Sequence, residues 1–332
     1  MTQSTFSIPS PQSAANTADR IVLGIDIGGS NLRLALADSN AKILHTWAQD
    51  LRQTPDPASV VSLIKQGAHA LLSQAALPYS NLAACAAGVP GITDTDRGIV
   101  LATSYLLGWR DVPLRAFLEE ALRIPAAIDN DVNIAALGEF HATAHGTRNF
   151  VFLAIGTGIG SGIVINGQVH RGETFSAGEI GYMLVPGVSE IPADKDMPGA
   201  LEDRIGGTGI QEQWRTLWNP ERTQLPNDAA PTTIFTEAAS GGALASELMN
   251  SSARILAYAI YNTALILNCR LFVLGGGAGT HPAFLACVQQ HVNARNPYAP
   301  ITVLPSTLGP AAQLAGAVHV ALEIANRHTA AL

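Results

Sequence analysis

Two segments of this chain share one pattern, in which an apolar run is followed by a glycine-rich turn and then by a second apolar run. IVLGIDI at residues 21–27 leads into Gly28, Gly29 and Ser30 and then into a return run ending at Asp38. This predicts a hairpin with Asp26 at the end of its first strand. Phe150 to Ile155, the turn Gly156, Thr157 and Gly158, and the return from Gly162 to Ile165 predict a second hairpin of the same kind. Two such hairpins far apart in one chain point to a duplicated architecture. Between them the spacing predicts a helix over Val60 to Ala76, a strand over Leu82 to Val89, a turn at PGITDTDRG and a helix over Leu114 to Leu122. A strand at Ala126 to Ile128 runs into DNDVNIAALGEFHATA, whose Asn/Asp start and Ala-rich body signal a helix entry. The last third predicts a buried helix over Ala253 to Leu267, a strand over Leu271 to Leu274 that ends in Gly275, Gly276 and Gly277, and a closing helix over Ala311 to Ala325. Asn219 to Thr233 reads as a loop. Strands alternating with helices define an α/β protein.

Composition narrows the function classes. The chain has 332 residues, 19 basic against 26 acidic, for a net charge of −7. That length suggests about two domains of roughly 150 residues each. Only three lysines occur, Lys42, Lys65 and Lys195, and no basic run is present to follow a phosphate backbone, so nucleic acid is not an expected partner. Glycines break the longest uncharged stretch, so no membrane span is expected. Cys85, Cys269 and Cys287 are an odd number without CxxC spacing, which leaves no disulfide framework and fits a reducing cytoplasm. Residues 1–20, rich in Ser, Gln, Pro and Ala, read as a disordered tail.

Common nucleotide signatures are missing. No Gly-Lys dipeptide exists to build a P-loop, and no glycine cluster satisfies GxGxxG after a strand. Serine-hydrolase and zincin motifs are absent too. A hairpin turn of Gly and Ser/Thr can still aim successive backbone N–H groups at one point and cradle phosphate oxygens without a lysine. Gly28 to Ser30 and Gly156 to Gly158 are candidates, each of which taken alone also reads as a simple tight turn. DNDVN, at residues 129–133, places carboxylates where a strand meets a helix. Phosphoryl transfer needs positioning, charge neutralisation and a group to accept the attacking hydroxyl's proton. Asp131 suits that last task and Asn130 suits a neighbouring hydroxyl, although helix caps alone would also favour Asn and Asp.

GIDIGGSNLRLAL, GVPG, LGW, DNDVNIAALGE, GTGIGSGIVINGQVHRG, AGEIGYMLV, GALE, VLGGG and LGPAAQLAGAV occur in this order. Together they resemble the ROK family of sugar kinases and sugar-responsive repressors, over Ile21 to Leu322. The resemblance implies an actin-like, ribonuclease-H-like fold closing over ATP, Mg²⁺ and a hexose. It implies that Asp26 lies near the metal, bound through water, and that Gly28, Gly29, Ser30 and Asn31 make the first phosphate loop. Gly156, Thr157 and Gly158 then make the second loop, and Gly275, Gly276 and Gly277 lie against adenosine. Asp131 becomes the catalytic base. Pro90, Gly91, Asn130, Asp131, Glu179, Tyr182 and Glu202 fall at sugar-binding positions. A small domain of residues 21–136, completed by a helix at 311–329, would face a large domain of residues 137–310. A homodimer is implied as well.

Three departures from the family pattern stand out. Tyr182 replaces a histidine, and the cysteines of a zinc loop are missing after it, so no structural zinc is expected. Tyr182 also alters a sugar-contacting position. In SYLLGW, Tyr105 or Leu106 stands where the family often has Asn, which removes one expected sugar hydrogen bond. His141 and His145 have metal-ligand spacing but no third ligand, and read as a helix face. Trp109, Trp214 and Trp218 read as packing residues and Cys85 as a core residue. The expected activity is transfer of the γ-phosphoryl of ATP to a hexose, glucose first. N-acetylmannosamine, N-acetylglucosamine, fructose or allose are the alternative acceptors. A sugar-sensing protein is the other class, disfavoured because the roughly 20 residues before Ile21 are too few for a helix-turn-helix domain.

Overall fold

The computed structural model of the chain describes residues 20–52, 56–142, 147–190 and 198–330. The expected tail lies outside the described residues apart from Arg20, and so does His145. The first hairpin forms as its pattern requires, with β1 (Ile21–Ile27) antiparallel to β2 (Asn31–Ala37), Asp26 facing Arg33 across the pair. There follow β3 (Ile43–Asp50), α1 (Pro57–Gln74), β4 (Leu82–Val89), β5 (Ile92–Asp94), β6 (Ile99–Ala102), β7 (Arg110–Val112), α2 (Leu114–Leu122), β8 (Ala126–Asn130) and α3 (Asp131–Ala142). The later part holds β9 (Phe150–Ile155), β10 (Ile159–Ile165), β11 (Gln168–Val169), α4 (Glu202–Ile205), α5 (Gly207–Leu217), α6 (Pro231–Ala239) and α7 (Ala243–Leu267). It closes with β12 (Leu271–Gly275), α8 (Pro282–Asn293), β13 (Thr302–Pro305) and α9 (Ala312–Ala330).

The duplication predicted from the two hairpins is visible in the sheets. One runs β3-β2-β1-β4-β8 and the other β11-β10-β9-β12-β13. In both, the first three strands in the chain are antiparallel and the last two are added in parallel. A third, small sheet of β5, β6 and β7 extends from the end of β4.

Strand periodicity decides what each face covers. Leu23, Ile25 and Ile27 of β1 join Val60, Ile64 and Ala68 of α1 and Leu114, Leu118 and Leu122 of α2 in one core. Val22 on the opposite face packs with Ala84, Ala86, Leu314, Val318 and Ala321 under α9. The second sheet buries Val151, Leu153 and Ile155 against α5 to α8 and turns Phe150 and Phe152 toward Ala135 and Ala136 of α3. Helices α3 and α9 therefore form the layer between the sheets. They cross at small residues, since a Cβ on Gly138 would meet the Ala312 carbonyl at 2.2 Å.

Several boundaries differ from the sequence reading for local reasons. Helix α1 starts earlier because Asp56 caps it, accepting from Ser59 N at 2.9 Å, with Pro57 in the first turn. The return strand β10 begins at Ile159, directly after the turn. Helix α7 is longer at its start, and α6 begins inside the expected loop, at Pro231. That loop is pinned by indole hydrogen bonds, from Trp214 to Pro226 O at 2.9 Å and from Trp218 to Leu225 O at 2.8 Å. Trp109 and Cys85 are buried core residues, and the His141 ring stacks on His319 at 4.1 Å.

Glu139 of α3 is fully buried and binds the segment between β13 and α9. Its carboxylate accepts from the Ser306 hydroxyl, from Leu308 N at 2.9 Å and from Thr307 Oγ1 at 2.8 Å. Glu139→Ala removes the buried acceptor of these donors and leaves a hole in α3, each hydrogen bond to a charged group being worth about 1.5–3 kcal/mol. Urea unfolding is expected to show a loss of about 3 kcal/mol or more, and a midpoint equal to wild type would contradict the clamp.

Candidate active site

Strand register brings the acidic residues together. Asp26 of β1 lies beside Gly88 of β4, and Gly88 lies beside Asp129 of β8, so the carboxyl ends of three adjacent parallel strands form one row. Such strand ends are where open α/β sheets bind ligands. Because Gly88 has no side chain, the chain can turn over it into α3, and a Cβ there would lie 3.3 Å from Asp131 Cα. Asp131 thus stands near Asp26.

Each aspartate of the row has an arginine. Arg33 donates Nε to Asp26 Oδ2 at 2.7 Å and, through Nη1, reaches the Pro310 carbonyl at 2.7 Å, which ties the first hairpin to the start of α9. Arg171 donates Nε and Nη2 to Asp129 Oδ2 at 2.9 and 2.6 Å, while Asp129 Oδ1 accepts from Asn130 N at 2.8 Å. Asn130 is the cap of α3, its Oδ1 accepting from Val132 N at 2.9 Å and Asn133 N at 3.1 Å. Its Nδ2 donates to Gly91 O at 3.0 Å, which leaves one amide proton for a ligand. Capping and hydroxyl binding are therefore compatible in one side chain. Gly91 has φ +103°, and a Cβ there would meet Ala102 O at 2.2 Å, so this bend after Pro90 requires glycine.

Across the cleft, Glu179 and Glu202 are carried by adjacent segments joined by Leu201 N donating to Gly181 O at 2.9 Å. Glu202 Oε2 accepts from Ile159 N at 2.9 Å and from the Tyr105 hydroxyl at 3.3 Å. Of the two residues left open by the sequence, Tyr105 faces the cleft and Leu106 enters the core. Tyr182, 47% exposed, follows Glu179 in a short 3-10 turn.

The glycine turns are exposed and close to this carboxylate set. In the first, Gly28 N is spent on Asn31 O at 2.8 Å, so the amides of Gly29 and Ser30 are the candidate phosphate donors, with Asn31 opening β2. In the second, Gly156 N is spent on Gly158 O at 3.1 Å, and α5 holds the turn by bonds to the Gly156 and Thr157 carbonyls. Register puts Gly275 beside Ala154, and a Cβ on Gly276 would lie 2.2 Å from Ile155 O. The triplet Gly275 to Gly277 thus borders the second turn.

Burial shapes the electrostatics. Burial first, and the charge of Asp26 second, push Asp131 up to about 7. Burial raises Asp26 against the opposing pull of Arg33, and burial followed by the charge of Glu202 raises Glu179. Among the described residues no cluster of three or more His, Cys, Asp or Glu is placed to hold a metal. With one oxygen of Asp26 committed to Arg33, the donor set fits a divalent cation that keeps most of its water and phosphate ligands.

The paired sheets, with turns and carboxylates at their facing ends, define the actin-like, ribonuclease-H-like class. The model of the ROK family matches residues 22–324, and the chain belongs to that family. A glucokinase from Halalkalibacterium halodurans is 31% identical over 286 residues, covering 83% of this chain and 86% of that protein. An N-acetylmannosamine kinase from Escherichia coli is 30% identical over 273 residues, covering 81% and 87%. The structure of a ROK family glucokinase from Streptomyces griseus in complex with glucose and AMPPNP has a TM-score of 0.76 at 23% identity, covering 91% of this chain and 99% of that one.

Sequence reasoning did not single out Arg33 or Arg171. Arg33 was accessible from the hairpin register that sets it opposite Asp26, whereas Arg171 reaches Asp129 across 42 positions of sequence. A carboxyl held above its ordinary value destabilises the fold as pH rises from about 4 toward 7. Asp131→Asn is expected to raise the melting temperature by a few degrees at pH 8, with the gain shrinking toward pH 5. Calorimetry checks this, and an unchanged melting temperature at pH 8 would contradict the burial argument.

Proposed function

We propose that this ROK-family sugar kinase transfers the γ-phosphoryl of ATP to a hexose hydroxyl, with glucose as the first acceptor and Asp131 as the base. What supports this is a half-buried carboxylate at the mouth of a helix, pushed up to about 7 by burial and by the charge of Asp26. A base is most effective when its pKa lies near the working pH. Asp131 would take the hydroxyl proton as the sugar oxygen attacks the γ-phosphorus. Asn130, Glu179, Glu202 and the Pro90-Gly91 bend would orient the sugar, and Tyr182 would shape the pocket beside them. The amides of Gly29 and Ser30 and the turn Gly156 to Gly158 would hold phosphate oxygens, with Asn31 at the edge of the first turn and Gly275 to Gly277 against adenosine. Asp26 would hold Mg²⁺ through water, and the ion, when bound, neutralises phosphate charge.

Two lobes, residues 21–136 with 311–329 and residues 137–310, would close over both substrates and exclude water. A homodimer in the cytoplasm belongs to the same proposal, from the family resemblance. No helix among the described residues is long and apolar enough to cross a membrane. N-acetylmannosamine is the second acceptor, favoured by the relative with that name and by Tyr182 at a sugar position.

The test is ADP release with ATP and Mg²⁺ across glucose, mannose, fructose, allose, N-acetylglucosamine and N-acetylmannosamine. Glucose is expected to give the highest kcat/KM. Asp131→Ala is expected to lower it by about 10²-fold or more. Since the acting form is the carboxylate, kcat/KM should fall as pH drops through about 7. Sugar binding without any sugar-dependent ADP release would replace the kinase with a sensor.

A further inference from the structure

Tyr105 spans the two halves of the cleft. Its main chain lies on the first glycine turn, where a Cβ on Gly29 would stand 3.2 Å from Tyr105 O and 3.3 Å from Tyr105 Cβ. Its phenol crosses to the second turn and sits on Gly158, where a Cβ would stand 2.2 Å from the hydroxyl oxygen. There it donates to Glu202 Oε2 at 3.3 Å, the oxygen already bonded by Ile159 N. Burial first, and then the negative charge of Glu202 with smaller contributions from Asp131 and Glu179, hold the phenol in its protonated, donating form. The backbone beneath is fixed, with Tyr105 N on Thr103 Oγ1 at 3.1 Å and both Leu106 and Trp109 in the core. Tyr105 is 43% exposed, so its side chain can swing outward without opening the core.

A hydroxyl donor among three carboxylates, resting on a phosphate turn, has the chemistry of a substrate hydroxyl. Given the kinase reading of this cleft, we propose that Tyr105 is a specificity-determining residue that discriminates sugar from water as acceptor. The phenol competes with the acceptor for Glu202 and for the space beside Gly158. A sugar, binding through several hydroxyls at once to Asn130, Glu179 and Glu202, displaces it. A lone water does not. Were water to take the acceptor position, its oxygen would form the new bond to the γ-phosphorus while the bond to the β-bridging oxygen breaks. Its proton would pass to Asp131, giving ADP and inorganic phosphate. The seated phenol keeps water from that position and thereby limits loss of ATP.

The experiment compares wild type with Tyr105→Phe and Tyr105→Ala in three readouts. These are ADP release without sugar, the KM for the best sugar, and the dissociation constant of that sugar by calorimetry without nucleotide. Tyr105→Phe loses the competing hydrogen bond, so KM and the dissociation constant should fall about 3- to 10-fold, with the effect on KM rather than kcat. Tyr105→Ala should raise sugar-independent ADP release about 10-fold or more. Weaker sugar binding in Tyr105→Phe would make the phenol a sugar ligand and overturn the proposal, as would an unchanged sugar-independent rate in Tyr105→Ala. If wild type shows no sugar-dependent ADP release, the kinase reading fails and the proposal for Tyr105 falls with it, whereas sugar-dependent release in wild type with an unchanged sugar-independent rate in Tyr105→Ala overturns the proposal for Tyr105 alone.

Discussion

The site depends on a row of residues at the carboxyl ends of β1, β4 and β8. Parallel register sets Asp26, Gly88 and Asp129 side by side, and the missing side chain at Gly88 lets Asp131 approach the row. Like charges in a poorly solvated place repel, so such a cluster persists only with compensation. Arg33 and Arg171 supply it for the two outer carboxylates. Asp131 has no such partner among the described residues and accepts from Val132 N, and burial with the charge of Asp26 raises its pKa. The cost in stability and the capacity to accept a proton near neutrality have the same origin.

The architecture around the row follows from the duplication. Each sheet ends in a glycine turn on its first hairpin, and α3 and α9 fill the space between the sheets. Helix α3 carries Asp131 at its start and Glu139 two turns on, so the helix that presents Asp131 to the row also grips the segment leading into α9. Arg33 reaches the same segment from the first hairpin. The acidic row, the first turn and the helical layer between the sheets are thus one connected piece of structure.

Much of this was legible in the sequence where a strong period met a definite turn. The hairpins at Ile21 and Phe150, β4 and α2 have buried runs of unmistakable spacing. Edge strand β3 escaped because its residues alternate between exposed and only half-buried positions, and β5, β6 and β7 are too short to show a period. Helices α5 and α6 lie in polar stretches whose packing depends on partners distant in sequence, Trp214 and Phe235 meeting residues of α7 and α8. The motifs proposed for the site were visible as residues, but the ion pair of Asp129 with Arg171 and the reach of Tyr105 to Glu202 are long-range contacts that no local pattern encodes.

The most direct measurement is the titration of the Asp131 carboxyl itself, by carbon NMR on protein labelled at aspartate Cγ, in wild type and in Asp26→Asn. Burial beside Asp26 predicts a midpoint near 7 in wild type, moving downward when the neighbouring charge is removed. A midpoint in the ordinary carboxylate range near 4, insensitive to Asp26→Asn, would contradict the account of Asp131 as a base tuned by the strand-end row.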